Sequence, residues 1–301
     1  MNPTKKPLEE LILNNPMTYS QLASYYRTSR TSIRRRIKDM RREGYDIREK
    51  RKNGKKYFYT TRILPRNRMV SEIYTDYFAL IGDTHLCSRY CELEALESFY
   101  DEVQDRGIHN VFHAGDLCDG TNVYPGHLND LEVWGLDDQL EYCARKYPHR
   151  KDVTTHFITG NHEGKYYKRE KIDFGKLLAH RRPDLHYLGM DFKKVRLDEN
   201  IELEISHPAG GAPYTLGYAA QKYLRNMPPS SRPDILQFGH LHRAFYANYQ
   251  EVDIFYTGCF MGSTDWLRKK GIESTIGGWI VEMETEDGRK IKSLKSEFVH
   301  F

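Results

Sequence analysis

Five short motifs constrain this chain more than any other feature, because each one directly follows a predicted strand. The apolar run at 77–81 is typical of a buried strand, and further strands are predicted at 110–114, 155–159, 201–206 and 234–238. The motifs after them are Gly-Asp-Thr-His at 82–85, Gly-Asp-Leu-Cys-Asp at 115–119, Gly-Asn-His-Glu at 160–163, His-Pro at 207–208 and Gly-His-Leu-His at 239–242. Each strand thus carries Asp, Asn or His at its C-terminal end, usually after a glycine that lets the backbone turn tightly. We therefore expect these polar side chains to converge on one site.

The residue types in the motifs favour metal binding. Carboxylate, imidazole and amide oxygen ligands without thiolate suit manganese, iron, zinc or similar divalent ions. Two such ions, roughly 3.5–4 Å apart, clamp both the attacking and the leaving oxygens of an in-line phosphoryl displacement. A histidine is suitable as the proton donor to the leaving oxygen. We predict two divalent metal ions, with manganese as the first choice and iron, zinc or magnesium as alternatives.

The order of the five motifs resembles that of the calcineurin-like metallophosphoesterase family, over roughly residues 77–301. The resemblance implies an α/β fold in which two packed sheets are flanked by helices and the metal ions lie at the strand ends. It implies that one ion is bound by Asp83, His85, Asp116 and His242. The other ion would be bound by Asp116, Asn161, His207 and His240, so that Asp116 bridges the two.

The same resemblance implies roles for three further side chains. His162 would be the proton donor or a transition-state stabiliser, and Asp119, three residues after Asp116, would orient His162. Glu163 stands where many family members have aspartate, a change that we expect to be mild.

The details of the motifs indicate a branch of the family. Gly-His-Leu-His at 239–242 resembles the phosphodiesterase branch, whereas Ser/Thr protein phosphatases lack this ending. Residues 82–86 are similar to the opening of the nuclease subunit of the bacterial SbcCD complex, and 119–126 with 138–142 resemble the exonuclease subunit of archaeal D-family DNA polymerase. We predict a metal-dependent DNA nuclease. The alternatives are a phosphatase or nucleotide phosphodiesterase localised to DNA, and a DNA-binding regulator with an inactive metal fold.

Charge is divided unevenly along the 301 residues. Residues 1–68 contain 19 Lys and Arg but only 6 Asp and Glu, whereas the remainder has 27 basic and 36 acidic residues. A basic segment of this kind attracts a polyanion, because each neutralised phosphate releases counterions. We therefore predict that duplex DNA is a partner of the N-terminal segment.

The basic segment has the local signals of a helix-turn-helix followed by a hairpin. A first helix is predicted over 7–14, a second from the capping box of Thr18 and Gln21 to about Tyr25, and a third from Ser29 to a stop at Gly44. Asn53-Gly54 is a strong hairpin-turn signal. From Ser29 to Tyr59 the segment resembles the winged-helix domain of the biotin operon repressor and related bacterial regulators.

In that resemblance the third helix is the recognition helix. Its buried stripe would be Ile33, Ile37 and Met40, while the hairpin would add basic residues. The predicted DNA-binding residues are Arg30, Thr31, Arg34, Arg35, Lys38, Lys52 and Lys55. We predict a winged helix-turn-helix domain over 1–62, a linker over 63–76 and the metallophosphoesterase domain over 77–301.

The remaining polar and sulfur residues favour ordinary structural roles. Five cysteines without metal-finger or disulfide spacing suit free thiols in a reducing cytosol, and no apolar run approaches the roughly 20 residues that span a bilayer. A cytoplasmic protein without a membrane partner is therefore expected. Eight histidines outside the motifs are predicted to be hydrogen-bonded structural residues and not ligands: His109, His113, His127, His149, His156, His180, His186 and His300.

Overall fold

The fold is described from a computed structural model, in which the chain divides into two compact units, Met1–Val70 and Ser71–Phe301. The structure describes residues 8–13, 15–42, 47–52, 54–60, 71–211, 215–269, 271–286 and 290–301. Among these residues, no helix has the length and apolar character that crossing a membrane requires.

Within its described residues, the smaller unit combines three helices with a three-stranded antiparallel sheet of order β1-β3-β2. Its helices are α1 Leu8–Leu11, α2 Tyr19–Tyr26 and α3 Arg30–Arg42, and its strands are β1 Met17–Thr18, β2 Arg48–Lys52 and β3 Lys55–Tyr59. The apolar stripe of α3 packs into the core of this unit, which comprises Leu8, Ile12, Leu22, Ala23, Ile33, Ile37, Met40, Ile47 and Phe58. The assignment of this unit as a DNA-binding winged helix stays a prediction.

Several local predictions for the smaller unit can be compared with the structure. The capping box at the start of α2 is confirmed, because the Thr18 side chain accepts from the Gln21 backbone and the Gln21 side chain accepts from the Thr18 backbone. The first helix is shorter than predicted, with four residues. The basic residues expected in the hairpin turn lie mostly within β2 and β3. Gly44 and Asn53 lie outside the described residues.

The larger unit contains two six-stranded sheets. The first has the order β15-β14-β5-β6-β7-β8, in which the four consecutive strands β5 to β8 are parallel. Its strands are β5 Tyr77–Ile81, β6 Asn110–His113, β7 Thr154–Thr159, β8 Leu185–Met190, β14 Gly277–Glu286 and β15 Lys290–His300. The helices that follow its parallel strands are α4 Leu93–Asp105, α5 Leu136–Lys146, α6 Gly164–Glu170 and α7 Phe174–Arg181.

The second sheet has the order β12-β13-β11-β10-β9-β4. Its strands are β4 Ser71–Glu72, β9 Phe192–Arg196, β10 Glu202–Ser206, β11 Ile235–Phe238, β12 Ala244–Tyr249 and β13 Val252–Thr257. Strands β10, β11 and β13 are parallel to one another. The helices of this part of the chain are α8 Tyr218–Arg225 and α9 Asp265–Lys269.

The alternation of side chains along the strands builds the layers of the larger unit. In β5, Phe78 and Leu80 belong to the apolar layer shared with the second sheet, whereas Ala79 and Ile81 pack with the helices of the first sheet. Helix α8 covers the opposite face of the second sheet through Ala220 and Leu224. The predicted α/β fold with two packed sheets flanked by helices is therefore confirmed.

One predicted boundary differs from the structure. The linker was expected to extend to residue 76, but Ser71–Glu72 forms β4 and pairs in parallel with Val195–Arg196 of β9. This pairing is between residues more than a hundred positions apart, so no local pattern indicates it. Residues 61–70 lie outside the described residues, so only 71–76 of the predicted linker can be compared with the structure.

Candidate metal centre

The five motifs lie in the loops that follow the C-terminal ends of β5, β6, β7, β10 and β11. Five motif residues adopt the left-handed backbone region that non-glycine residues rarely use: Asp83, His85, Asp116, His240 and His242. Such conformations cluster at functional sites because the surrounding structure must hold them in place.

The loops approach one another so closely that glycine is required between them. A Cβ atom on Gly115, which has φ +91°, would lie 2.7 Å from Nδ1 of His207 and 2.9 Å from the Gly160 nitrogen. A Cβ on Gly160 would overlap Oδ1 of Asp116. The glycines of the motifs therefore let the second, third and fourth loops pack directly together.

One group of donor atoms comes from the first and last motifs. The side chains of Asp83, His85 and His242 each offer one donor atom, and these atoms lie within 4.8 Å of one another. Nε2 of His242 is 3.6 Å from Oδ1 of Asp83 and 3.1 Å from Nε2 of His85. All three residues are buried, so few water molecules can solvate the carboxylate.

A second group comes from the middle motifs. The side chains of Asp116, His207 and His240 also offer donor atoms within 4.8 Å of one another. Nε2 of His207 is 3.1 Å from Oδ2 of Asp116 and 3.0 Å from Oδ1 of Asn161.

Asp116 lies between the two groups. Its Oδ2 atom is 4.0 Å from Nε2 of His85 in the first group as well as 3.1 Å from Nε2 of His207 in the second. The structure therefore brings all seven predicted metal ligands together, with Asp116 in the position expected for a bridge.

Hydrogen bonds around the centre determine which ring nitrogen of each histidine faces inward. Nδ1 of His207 donates to the carbonyl oxygen of Ala114 at 2.7 Å, and Nδ1 of His85 donates to Oδ1 of Asp119 at 2.8 Å. Both imidazoles therefore present Nε2 to the centre. Bonds of this type fix the tautomer and orientation of metal-ligating histidines.

The inward-facing atoms fit divalent cations. In its neutral form, His207 has only a lone pair at Nε2 and cannot donate to the oxygen of Asn161 that it faces. Nε2 of His85 also carries a lone pair, so its contact with Nε2 of His242 requires either a proton on His242 or a cation between the two rings. Nδ1 of His242 is buried without a hydrogen-bond partner among the described residues. Converging lone pairs are unfavourable unless protons or cations lie between them. Carboxylate, imidazole and amide donors are suitable ligands for manganese, iron or zinc.

The charges of the centre are strongly perturbed. Burial raises the pKa of Asp83 to about 8. Burial would lower the pKa of His207, but the neighbouring Asp116 carboxylate outweighs it and raises this pKa to about 9. Burial opposes ionisation of Asp116 too, yet its histidine neighbours hold the pKa of Asp116 well below its usual range. A centre of acids and bases with such shifts is typical of functional sites.

His162 lies beside Asp116. Its Nδ1 donates to the backbone oxygen of Asp119 at 2.6 Å and lies 2.9 Å from Oδ1 of the same residue. Its Nε2 is 3.8 Å from Oδ2 of Asp116. Burial lowers the pKa of His162, but the Asp116 and Asp119 carboxylates dominate and raise it to about 10. The imidazole can therefore hold a proton at Nε2, facing the centre.

Asp119 connects His162 with two other histidines. Its Oδ1 accepts from Nδ1 of His85 and lies close to Nδ1 of His162, while its Oδ2 is 3.1 Å from Nε2 of His127. Burial would raise the pKa of Asp119, but the hydrogen bonds from these three histidines hold it well below its usual range. Asp119 is therefore an ionised carboxylate that orients several imidazoles.

His127 was not predicted to have a role at the site. Its Nδ1 accepts from the backbone nitrogen of Val123 at 3.3 Å, so that Nε2 carries the proton and donates to Asp119. The residue is buried in a short 3-10 helix, His127–Asp130. No motif surrounds it, and a single histidine in a turn-rich segment gave no signal that distinguished it from the other seven.

Substituting His127 tests whether this contact positions Asp119. We expect His127→Phe to lower turnover or metal affinity by about 10- to 100-fold, the usual effect of losing an outer partner of metal ligands. His127→Gln, which keeps an N–H donor, should recover part of the loss. Steady-state hydrolysis and metal titration would measure both effects, with thermal unfolding to check the fold. Wild-type values for the phenylalanine variant would contradict this role.

Glu163 links two of the loops that carry the donors. Its Oε1 accepts from the backbone nitrogen of Cys118 at 2.9 Å, and its Oε2 accepts from the backbone nitrogen of Gly160 at 3.0 Å. Burial raises the pKa of this carboxyl to about 8. Glu163 therefore holds the second and third loops together without facing the donor atoms.

Comparison with known proteins indicates the family that the five motifs resemble. The family model described as calcineurin-like phosphoesterase matches residues 77–273. Archaeal proteins named DNA polymerase II small subunit are similar: that of Halobacterium salinarum is 24% identical over 249 residues, covering 69% of this chain and 48% of the relative. That of Pyrococcus abyssi is 24% identical over 262 residues, covering 72% and 42%. The chain thus spans less than half the length of these relatives.

Among solved structures, one described as a novel archaeal phosphodiesterase aligns with a TM-score of 0.42 and 14% identity, covering 74% of this chain and 99% of that one.

Proposed function

Because the chain belongs to the calcineurin-like phosphoesterase family, we propose that it is a metal-dependent nuclease that hydrolyses phosphodiester bonds of DNA. The observation that carries the proposal is the pair of donor groups around Asp116, with the imidazole of His162 beside them. When bound, two divalent ions would supply Lewis-acid stabilisation of the charge on the phosphate. All the donors and His162 are retained, which argues against an inert metal fold.

The side chains around the centre have distinct tasks in the proposed reaction. Asp83, His85 and His242 would hold one ion, Asn161, His207 and His240 the other, and Asp116 both. His162 would donate its Nε2 proton to the leaving oxygen of the cleaved ester. Asp119 would keep that imidazole in place through its contacts with Nδ1.

DNA is favoured as the substrate by two independent observations. The first is the name of the similar proteins, DNA polymerase II small subunit, which refers to DNA. The smaller unit presents exposed side chains that suit a phosphate backbone: Arg30, Thr31, Arg34, Arg35 and Lys38 on α3, and Lys52 and Lys55 on the hairpin. We infer that this unit is a winged helix that binds duplex DNA.

The DNA-binding role can be tested in the full chain by replacing Arg34 and Lys38 with alanine. If both side chains neutralise phosphates, the slope of log affinity against log salt concentration should decrease by roughly 0.9 for each lost contact. Fluorescence anisotropy with labelled duplex at several salt concentrations would measure the slope. Hydrolysis of a small chromogenic diester should remain unchanged, because neither residue belongs to the metal centre.

The matched control for this experiment replaces Lys151 and Lys290, two exposed lysines of the larger unit, with alanine. This variant has the same change of net charge, so a slope that decreased equally in both would mean that only total charge matters. An unchanged slope in the α3 variant would refute the proposed interface.

The substrate class can be tested by digesting end-labelled single- and double-stranded DNA in manganese, with nucleotide monoesters and small diesters in parallel. The proposed nuclease should cleave DNA with the higher kcat/KM. Small substrates turned over much faster than DNA would instead favour a phosphatase or nucleotide phosphodiesterase localised to DNA. Duplex binding without any hydrolysis would favour a regulator.

A further inference from the structure

Three of the five cysteines form a buried cluster in the larger unit, and all five are free thiols as expected. Sγ of Cys87 is 3.9 Å from Sγ of Cys143 and 3.9 Å from Sγ of Cys118, and the three sulfur atoms lie within 4.8 Å of one another. None of the three side chains has exposed surface. All three are free thiols and none is part of a disulfide.

A glutamine side chain is held against the cluster. Nε2 of Gln139 donates to the carbonyl oxygens of Gly120 and Val133, both at 2.9 Å, and this fixes the orientation of the amide. Its Oε1 atom accepts from the Tyr166 hydroxyl at 2.8 Å and from Sγ of Cys118 at 3.3 Å, so that it lies beside the cluster. The cluster thus presents three sulfur atoms and one oriented oxygen atom.

The spacing of the sulfur atoms matches thiolate coordination. Zinc–sulfur bonds of about 2.3 Å place the sulfur atoms of a trigonal or tetrahedral site roughly 3.8–4.0 Å apart, and Sγ of Cys87 is 3.9 Å from each of the other two sulfur atoms. This distance is far longer than a disulfide bond, which is about 2.05 Å. The separations of Cys87 from the other two sulfur atoms therefore suit thiolate ligands around a small cation, with the Gln139 oxygen beside Cys118.

We propose that Cys87, Cys118 and Cys143 bind a divalent thiophilic ion such as zinc, with Oε1 of Gln139 as the fourth ligand. Soft thiolate ligands select zinc or monovalent copper over the harder ions that suit carboxylates. In this buried position a divalent ion offsets two thiolate charges and a monovalent ion only one, so the divalent ion costs less to bury. Binding converts the three thiols to thiolates and releases their protons to solvent.

The ion would link two loops of the candidate metal centre to a neighbouring helix. Cys87 lies two residues after His85, Cys118 lies between Asp116 and Asp119, and Cys143 lies on α5. A structural ion would therefore cross-link the first and second motif loops to the helix behind them. The ligands are separated by 30 and 24 intervening residues, which explains why the sequence contains no metal-finger spacing.

Expression of the full chain in cobalt-supplemented medium tests the site, because cobalt then loads while the protein folds. Subsequent dialysis against a chelator would strip accessible ions. We expect about one retained cobalt ion per chain by elemental analysis, together with thiolate-to-cobalt charge-transfer absorption. The candidate metal centre has no thiolate donor, so this absorption reports on the cysteine cluster and is independent of catalysis.

Two substitutions make the test specific. Cys143→Ser should abolish the charge-transfer absorption and the retained ion, whereas Cys259→Ser, which changes another buried cysteine outside the cluster, should keep both. In the wild-type protein and in Cys259→Ser, the retained ion should also protect three thiols from alkylation in denaturant until a chelator is added, whereas burial alone protects them only until the chain is denatured.

Absence of the absorption in wild-type protein, or equal absorption in both variants, would overturn the proposal. A mass that shows a disulfide among the three cysteines would overturn it as well. If Cys143→Ser does not fold, the wild-type absorption, ion content and alkylation still decide the outcome.

Discussion

Replacing His162 by alanine is expected to lower kcat on DNA by about 100- to 10,000-fold, the usual contribution of a positioned general acid. Nδ1 of the imidazole is held by Asp119, and Nε2 faces the donor groups 3.8 Å from Asp116. Only the proton donor is removed, so bound manganese and duplex affinity should remain close to wild type. Single-turnover cleavage of labelled DNA, with elemental analysis and a binding titration, would measure all three quantities.

The matched control is His186→Ala, which removes an exposed histidine of the same unit. The His186 ring contacts His156 edge-on and is outside both donor groups, so this variant should cleave at the wild-type rate. An unchanged rate in His162→Ala would refute the proton-donor role. A loss of metal content equal to the loss of rate would mean that His162 serves as a ligand instead.

Asp116→Asn is expected to have the second large effect, the loss of both metal ions. The carboxylate faces both donor groups, and its Oδ1 also accepts from the backbone nitrogen of His162 at 2.9 Å. Asparagine can keep that backbone bond, so the fold should be preserved while the negative charge between the ions is lost. Lewis-acid stabilisation of several kcal/mol corresponds to a decrease in rate of about 1,000-fold or more.

Asp83→Asn provides the comparison, because Asp83 belongs to the first donor group only. Elemental analysis should give about two ions per chain for the wild type, about one for Asp83→Asn and fewer than one for Asp116→Asn. Circular dichroism would check that all three proteins are folded. If both variants lost a single ion, Asp116 would not be shared between the two groups.

The strands that carry the donors could be predicted because their signals are local. The apolar run 77–81 coincides with β5. After β6 the backbone turns sharply, and Gly115 and Asp116 both have positive φ there, so the glycine of the motif marks the end of the strand. The division of the donors into two groups was predicted from the family resemblance, because no periodic pattern in the sequence indicates it.

The parts that were missed depend on contacts between distant positions. His127 meets Asp119 through a turn whose path is not set by a repeating pattern, and the cysteine cluster joins Cys87, Cys118 and Cys143 from three separate elements. Strand β4 exists because it pairs with β9, far along the chain. Sequence patterns report which face of an element is buried, but not which distant element covers it.

Anomalous diffraction from crystals grown with manganese would test the central claim most directly. We expect two peaks roughly 3.5–4 Å apart, with the carboxylate of Asp116 in contact with both ions. A single ion that Asp116 does not contact, or no ion among Asp83, His85, Asp116, Asn161, His207, His240 and His242, would contradict a dinuclear phosphoesterase.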